Sequence, residues 1–431
     1  MATRLEALGG TSDLLPDETA RWQAVEARAR AILHCYGYQE IRTPILEYAE
    51  VFLQSLGEAT EIVQKQMYLF EDRGGRRVAL RPEGTASAVR AYLEHGLDKT
   101  AGLVKWYYIG PMFRAERPQA GRRRQFHQLG VEVFGSASPH RDAEVLALLM
   151  DLLNALGLRT AILKVNNLGC REDRPKMLSG LRAYYEPRRR ELCSECQQRL
   201  VVNPLRILDC KQPACQALAQ GPELFACTKC KGHFSDVLHD LENTFGMKQS
   251  QDYVFEKRLV RGLDYYTRTA FEVTHPGLGA QDAIGGGGRY DDLVQQMGGP
   301  ATPAIGFALG LERVLMALDA EQVAPAPPTP PAVFVATLGE AAQTKGLELL
   351  HRLRQAGVAA EGEYEGRSLK RQLESANKLR CAVVLMLGED ELAKGTVALR
   401  DMQTRQQTEV AWEACVAEVR RRVTPAAAVR A

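Results

Sequence analysis

The chain has 431 residues, 45% hydrophobic and 25% charged, which is material for two or three domains with ordinary globular cores. A net charge of +2 supplies no global field for nucleic acid, so any such binding must come from local basic patches. The first residues carry no apolar secretory core, and the longest apolar runs, such as 382–387, are too short to span a bilayer, so a cytoplasmic protein with no membrane contact is expected.

Trp22, Val25, Ala29, Ile32, Leu33 and Tyr36 recur at helical spacing and predict an amphipathic helix over 17–36, closed by Gly37. Residues 40–47 read as an extended edge segment, because Pro44 cannot donate a ladder hydrogen bond. A strand over 77–85 runs into a turn, and 86–96 form a helix with a C-cap glycine. Residues 104–117 and 125–135 read as an antiparallel hairpin around a long basic loop. From about 171 to 256 charge and cysteine density rise and the strand pattern fades, which marks a mostly helical insertion. The β pattern resumes at 259 in LVRGLDYYTRTAFE, where Arg261, Asp264, Tyr265 and Tyr266 crowd ahead of an alternating strand. Residues 281–298 read as a glycine-rich turn into a helix, and 303–318 as a strand followed by a buried helix. A proline-rich linker covers 324–332. Beyond it, strands alternate with helices up to a last helix over 407–423, which predicts a small α/β domain with a mainly parallel sheet.

Strand side chains alternate between faces. Arg114 and Glu116 then share one face of the first hairpin strand, and Gln128, Gly130 and Glu132 one face of the second, with Gly130 leaving room between its neighbours. Such a polar face is either a binding floor or a solvated sheet surface with ordinary ion pairs. The segment RPEGT adds Arg81, Glu83 and Thr85 at a strand end, where binding loops sit. Glu312 and Arg313 open an apolar helix, where an arginine is costly to bury unless it is paired, used, or snorkels to solvent. GGGGRYDD fits neither a P-loop nor a dinucleotide fingerprint; it makes a tight turn or lets backbone approach a flat ligand.

Together these segments resemble the class II aminoacyl-tRNA synthetases, and among them the histidyl-tRNA synthetase family. YGYQEIRTPILE is similar to the dimer-forming first motif, FRAER with QFHQLGVEVFG to the second, and GFALGLERVL to the third. RPEGT and LVRGLDYYTRTAFE are similar to the segments that mark histidine as the amino acid. The resemblance covers essentially the whole chain. It implies an α+β fold: an antiparallel-sheet catalytic domain over 1–325, with the insertion inside it, and an α/β anticodon-binding domain over 332–431. It also implies a homodimer that ligates L-histidine to tRNA-His through a histidyl-adenylate, with ATP as substrate and Mg²⁺ on its phosphates.

By the same resemblance Arg114 and Arg261 are the catalytic pair at the α-phosphate, and Arg261 also meets the histidine carboxylate. Glu132 and Tyr266 take the two imidazole nitrogens, with Tyr265 beside them, while Glu83, Thr85 and Gln128 take the α-amino group. ATP falls to Arg114 and Arg313; Glu116, Arg122 and Arg124 face ATP or the acceptor stem, residues 122–124 being otherwise a solvated basic loop, and Gln119 meets the tRNA acceptor end. Arg367, Lys370, Arg371, Lys378 and Arg380 are anticodon contacts or simply a solvated helix face.

Two CxxC pairs stand in the insertion. In a reducing compartment such pairs suggest metal before disulfides. Cys193, Cys196, Cys227 and Cys230 form a candidate four-thiolate structural zinc site, although residues 197–226 make a long gap between the pairs; unliganded reduced thiols are the alternative. Cys210 and Cys215 lie between them, and Cys35, Cys170, Cys381 and Cys415 read as packed or isolated thiols.

Overall fold

The computed structural model describes residues 5–56, 60, 62–117, 121–260, 265–279, 281–323 and 331–423. The chain forms two compact units, Met1–Pro325 and Ala326–Ala431. Most of the expected linker, 324–330, lies outside the described residues. Among the described residues, no helix is long and apolar enough to cross a membrane.

The first unit is built on an eight-stranded sheet. Its strands run in the order Gln39–Glu40, Val104–Phe113, Gln125–Phe134, Ala304–Gly310, Ala283–Arg289, Thr267–Thr274, Ile162–Asn167, Tyr253–Phe255. The two short outer strands pair parallel to their neighbours; every pairing between them is antiparallel. The helix Pro16–Cys35 starts on a proline with Asp17 and Glu18 in its first turn, which suits the positive end of the helix dipole. It buries Trp22, Val25, Ala29 and Leu33, the stripe expected from their spacing. With the helix Pro139–Leu156 it covers one face of the sheet, packing against Leu129, Val131 and Val133. The alternate residues Gln128, Gly130 and Glu132 therefore face the other side, toward the helix Thr85–Glu94 and the insertion.

The glycine run does not form the expected turn. Gly285 to Gly288 lie inside the strand Ala283–Arg289, paired on both sides. The reason is steric: a Cβ on Gly287 would lie 2.0 Å from the Gly306 carbonyl oxygen of the next strand. Only a glycine lets the two backbones meet this closely. At the end of this strand the register slips, so that Gly288 faces Ala270 but Arg289 faces Thr267. Arg268, with φ +49°, and Thr269 are the two residues left over, and they form a bulge.

Arg289 is fully buried. Its Nε lies 3.1 Å from both Asp142 oxygens, and its Nη1 donates to the Ser136 carbonyl and to Asp291, each at 2.9 Å. Asp142 also meets His233 Nε2 at 2.8 Å and accepts from Thr269 Oγ1 at 2.7 Å. Burial would push the Asp142 carboxyl up, but the hydrogen bond from His233 and the charge of Arg289 hold it below its ordinary value. One carboxylate thus joins the helices Pro139–Leu156 and Thr228–Asn243 to two strands.

The insertion is mostly helical, as expected: Arg174–Tyr185, Ser194–Val202, Pro213–Leu218 and Thr228–Asn243 are α-helices with 3₁₀ turns between them. A separate three-stranded sheet, in the order Leu46–Tyr48, Arg77–Leu80, Tyr68–Glu71, completes the unit.

The second unit has one five-stranded sheet, in the order Ala360–Gly362, Val333–Thr337, Val383–Leu387, Thr396–Asp401, Gln407–Ala411. The first three strands are parallel and the last two antiparallel. Residues 407–411, expected to begin the final helix, are instead an exposed edge strand; the helix is Cys415–Val423. Tertiary pairing with Thr396–Asp401 overrides the local pattern there.

Replacing Asp142 by alanine leaves a buried arginine without its counter-ion. Urea unfolding of Asp142→Ala should show a loss of about 3–5 kcal/mol. Glu26→Ala, which removes the partly exposed pair with Arg30, should cost about 1 kcal/mol or less.

Candidate active site

A cavity of about 420 Å³ opens over the polar side of the large sheet. Glu132 stands just behind its wall, hydrogen-bonded to the lining residues Thr85 and Tyr290, and is 1% exposed. It accepts hydrogen bonds from Thr85 Oγ1 at 2.7 Å, from the Tyr108 hydroxyl at 3.2 Å and from the Tyr290 hydroxyl. Burial pushes its carboxyl up to about 8; hydrogen bonds from Tyr290 and Thr85 pull against this, and the charge of Glu83 adds to it.

Neither Tyr108 nor Tyr290 was picked out from the sequence. Tyr108 stands directly opposite Gly130 in the strand ladder. A Cβ on Gly130 would lie 2.3 Å from its ring, and one on Gly84 of RPEGT 2.2 Å. The space expected beside Gly130 is therefore a slot for Tyr108, closed on the other side by Gly84. A tyrosine cross-strand from a glycine was the available signal. Tyr290 follows the anchored Arg289 directly, and its ring lies 5.7 Å from that of Tyr265. Tyr265 and Tyr266, with centroids 4.7 Å apart, line the cavity as expected.

Glu83 is buried with both oxygens engaged: Thr85 N donates at 2.7 Å and Ala86 N at 2.8 Å, capping the helix Thr85–Glu94. Burial raises its carboxyl and these backbone bonds oppose the rise. Gln128 Oε1 is buried and has no hydrogen-bond partner among the described residues. An acceptor left so is costly unless a ligand fills it.

Arg114 and Glu116 do not share a strand face, because the strand ends at Phe113; both nevertheless line the cavity. Arg114 Nε donates to the Pro82 carbonyl at 3.0 Å, and its guanidinium stacks 5.1 Å from the Phe126 ring centre. Burial lowers its pKa. Arg122 donates to Glu116 at 3.3 Å. Arg313 is held by the carbonyls of Ala283, Gln281 and Gly121. Its neighbour Glu312 accepts from the His127 backbone N–H at 3.0 Å and meets His127 Nδ1 at 3.1 Å. Arg81 is a staple, donating to the carbonyls of Pro111 and Thr43, each at 2.9 Å. Arg206, Asp209 and Lys211 of the insertion also line the cavity, which the sequence reading missed. Arg261, Asp264 and Gln119 lie outside the described residues.

The proposed four-cysteine set is not brought together. Cys193 and Cys196 meet Cys210 and Cys215; Cys227 and Cys230 meet Cys170 and Asp173. The CxxC pairs open two different helices; the first meets cysteines that follow it in the chain, the second a cysteine and an aspartate from the start of the insertion.

An antiparallel sheet whose polar face carries a cavity lined by buried carboxylate, amide and tyrosine side chains next to arginines is the class II aminoacyl-tRNA synthetase architecture. The model of the histidyl-tRNA synthetase family matches residues 10–314, and that of an anticodon binding domain matches 332–422. The histidine–tRNA ligase of Desulforudis audaxviator is 51% identical over 415 residues, covering 96% of this chain and 97% of its own. That of Desulforamulus reducens is 49% identical over 404 residues, covering 93% and 95%. The crystal structure of apo S. aureus histidyl-tRNA synthetase, 33% identical, superposes with a TM-score of 0.81 over 96% of this chain and 100% of that one. This chain belongs to the histidyl-tRNA synthetase family. It ligates histidine to tRNA-His at the expense of ATP.

Burial raises the Glu132 carboxyl from its ordinary 4.5 to about 8 in the fold. Between those values the folded state keeps a proton that the unfolded state has released, so stability falls as pH rises through that window. Glu132→Gln removes this slope. Urea melts from about pH 5 to about pH 8 should show the variant gaining on wild type by up to about 1.4 kcal/mol per pH unit. A difference independent of pH would mean that Glu132 is already ionised at pH 5.

Proposed function

We propose that histidine lies on the polar face of the sheet with its imidazole against Glu132 and the tyrosines. One ring nitrogen donates to Glu132, and the other meets the Tyr266 hydroxyl, with Tyr265 packed beside it. A site that satisfies both nitrogens rejects isosteres lacking them. The α-ammonium needs acceptors: Gln128 Oε1 supplies one, and Thr85 and Glu83 add a hydroxyl and a negative charge. The unpartnered Gln128 Oε1, next to the Glu132 cluster and in one cavity with Arg114, is the observation that carries this reading.

Arg114 takes the ATP α-phosphate. Its Nε is fixed on Pro82, which aims the terminal nitrogens of the fork. Arg261 is assigned by family resemblance to the other side of the same phosphate and to the histidine carboxylate. Glu116, Arg122 and Arg313 border the rest of the nucleotide. Mg²⁺ on the triphosphate would neutralise its charge, and the carboxylates of Glu116 and Glu272 in the same cavity are hard oxygen donors suited to it. A histidine carboxylate oxygen attacks the α-phosphorus and pyrophosphate leaves. The terminal ribose hydroxyl of tRNA-His then attacks the activated carbonyl and AMP leaves. No protein nucleophile takes part; the chain positions the reactants and stabilises charge on the phosphorus.

A homodimer goes with this reading. Ile45, Leu46, Tyr48, Leu69 and Phe70, on or beside the small sheet, are large apolar residues left exposed, next to the segment that resembles the dimer-forming motif. The helix Leu369–Lys378 with its basic residues is assigned to the anticodon arm. tRNA as partner implies a cytoplasmic location.

ATP–pyrophosphate exchange without tRNA should occur with histidine and with no other standard amino acid. Arg114→Ala should lower kcat by about 10²–10³-fold. Gln128→Ala should raise KM for histidine more than KM for ATP. Exchange with a different amino acid, or a Gln128 effect confined to ATP, would show that the pocket is misassigned.

A further inference from the structure

We propose that Cys193, Cys196, Cys210 and Cys215 bind one zinc ion as four thiolates, and that this ion pins residues 203–211 at the mouth of the active site. The four sulfurs lie within 4.8 Å of one another, and Cys193 and Cys210 are 3.9 Å apart. A tetrahedral ion with Zn–S bonds of about 2.3 Å has sulfur–sulfur edges of about 3.8 Å. The cage is thus close to the size of a zinc site before any metal enters.

Backbone N–H groups already point at its sulfurs. Cys196 N donates to Cys193 Sγ at 3.4 Å, Cys193 N to Cys215 Sγ at 3.3 Å, and Gln212 N to Cys210 Sγ at 3.5 Å. Such donors orient thiolate ligands and offset their charge. Cys193 caps the helix Ser194–Val202, so its sulfur also faces the positive end of a helix. Cys196, Cys210 and Cys215 are buried, and all four are free thiols. Zinc binding releases the thiol protons to solvent and needs no oxidant.

The placement gives the ion a second role. The 3₁₀ turn Pro204–Ile207 lies between the Cys196 helix and Cys210. Asp209 and Lys211, on either side of Cys210, line the active-site cavity together with Arg206. A metal bond at Cys210 fixes all three with respect to the nucleotide. This positional half rests on the nucleotide reading given above; the metal content does not.

The test is zinc per chain, measured on full-length protein purified under reducing conditions from zinc-supplemented cells. Cys210→Ser and Cys215→Ser should each carry one zinc equivalent fewer than wild type; unchanged content overturns the proposal. If both fail to fold, a Cys170→Ser/Cys227→Ser variant, which disables the other cluster, decides. It should hold one zinc with four sulfur neighbours at about 2.3 Å by X-ray absorption. No zinc, a mixed shell, or a mass loss showing disulfides in place of metal would overturn it. Cys210→Ser should also raise KM for ATP several-fold while KM for histidine moves less. Loss of zinc with an unaltered KM for ATP would overturn the positional half alone.

Discussion

A carboxylate with almost no contact to water sets the terms for the catalytic face. Glu132 would be costly to bury alone, and hydroxyls from three separate elements make its burial tolerable. Each hydroxyl makes its own demand. Tyr108 needs the slot between Gly84 and Gly130. Thr85 needs its helix to begin where Glu83 caps it. Tyr290 needs the end of its strand fixed, and the adjacent Arg289, gripped by Asp142, fixes it. Four elements far apart in sequence are therefore held in place by two buried carboxylates of opposite character. Asp142 is kept ionised by its partners, whereas Glu132 is pushed toward the protonated form by its surroundings.

The arginines divide along the same line between scaffold and ligand. Arg81 and Arg289 direct their donors to protein carbonyls and carboxylates, and Arg313 stands between the two groups, anchored on carbonyls yet lining the cavity. Arg114 is tethered at Nε and braced by an aromatic ring, which orients the fork. A guanidinium anchored at one nitrogen loses little further freedom when a phosphate arrives, and this is the practical meaning of preorganisation.

What could be read from the sequence follows from where local chemistry dominates. The helix Pro16–Cys35 and the alternation of Gln128, Gly130 and Glu132 were legible because one face of each element is apolar and period alone fixes the other. The glycine run was misread as a turn because nothing local distinguishes a glycine turn from a strand that must lie hard against its neighbour; that constraint belongs to Gly306, across the ladder. The edge strand Gln407–Ala411 looked helical because its partner, not its composition, makes it a strand. The cysteines were grouped by motif, yet sulfur sets are chosen by the path of the chain, and the turn at 204–207 brings Cys210 back to Cys193. Tyr108 was hidden because its role needs a cross-strand register as well as a sequence.

Register also explains why this site tolerates little drift. In an antiparallel sheet a one-residue slip exchanges the two faces. Here it would send Leu129, Val131 and Val133 into the cavity and Glu132 into the apolar core. The hydrophobic layer of the helices Pro16–Cys35 and Pro139–Leu156 thus specifies the position of the polar face without touching it. The pairing of Ala283–Arg289 with Thr267–Thr274 departs from strict register at both ends, between Ala283 and Gly285 and again at Arg268, and the second bulge falls directly after Tyr265, Tyr266 and Thr267. A bulge rotates the chain that precedes it. The ladder gives way beside the two tyrosines, which line the cavity, while on its other side the same strand keeps unbroken register with Ile162–Asn167.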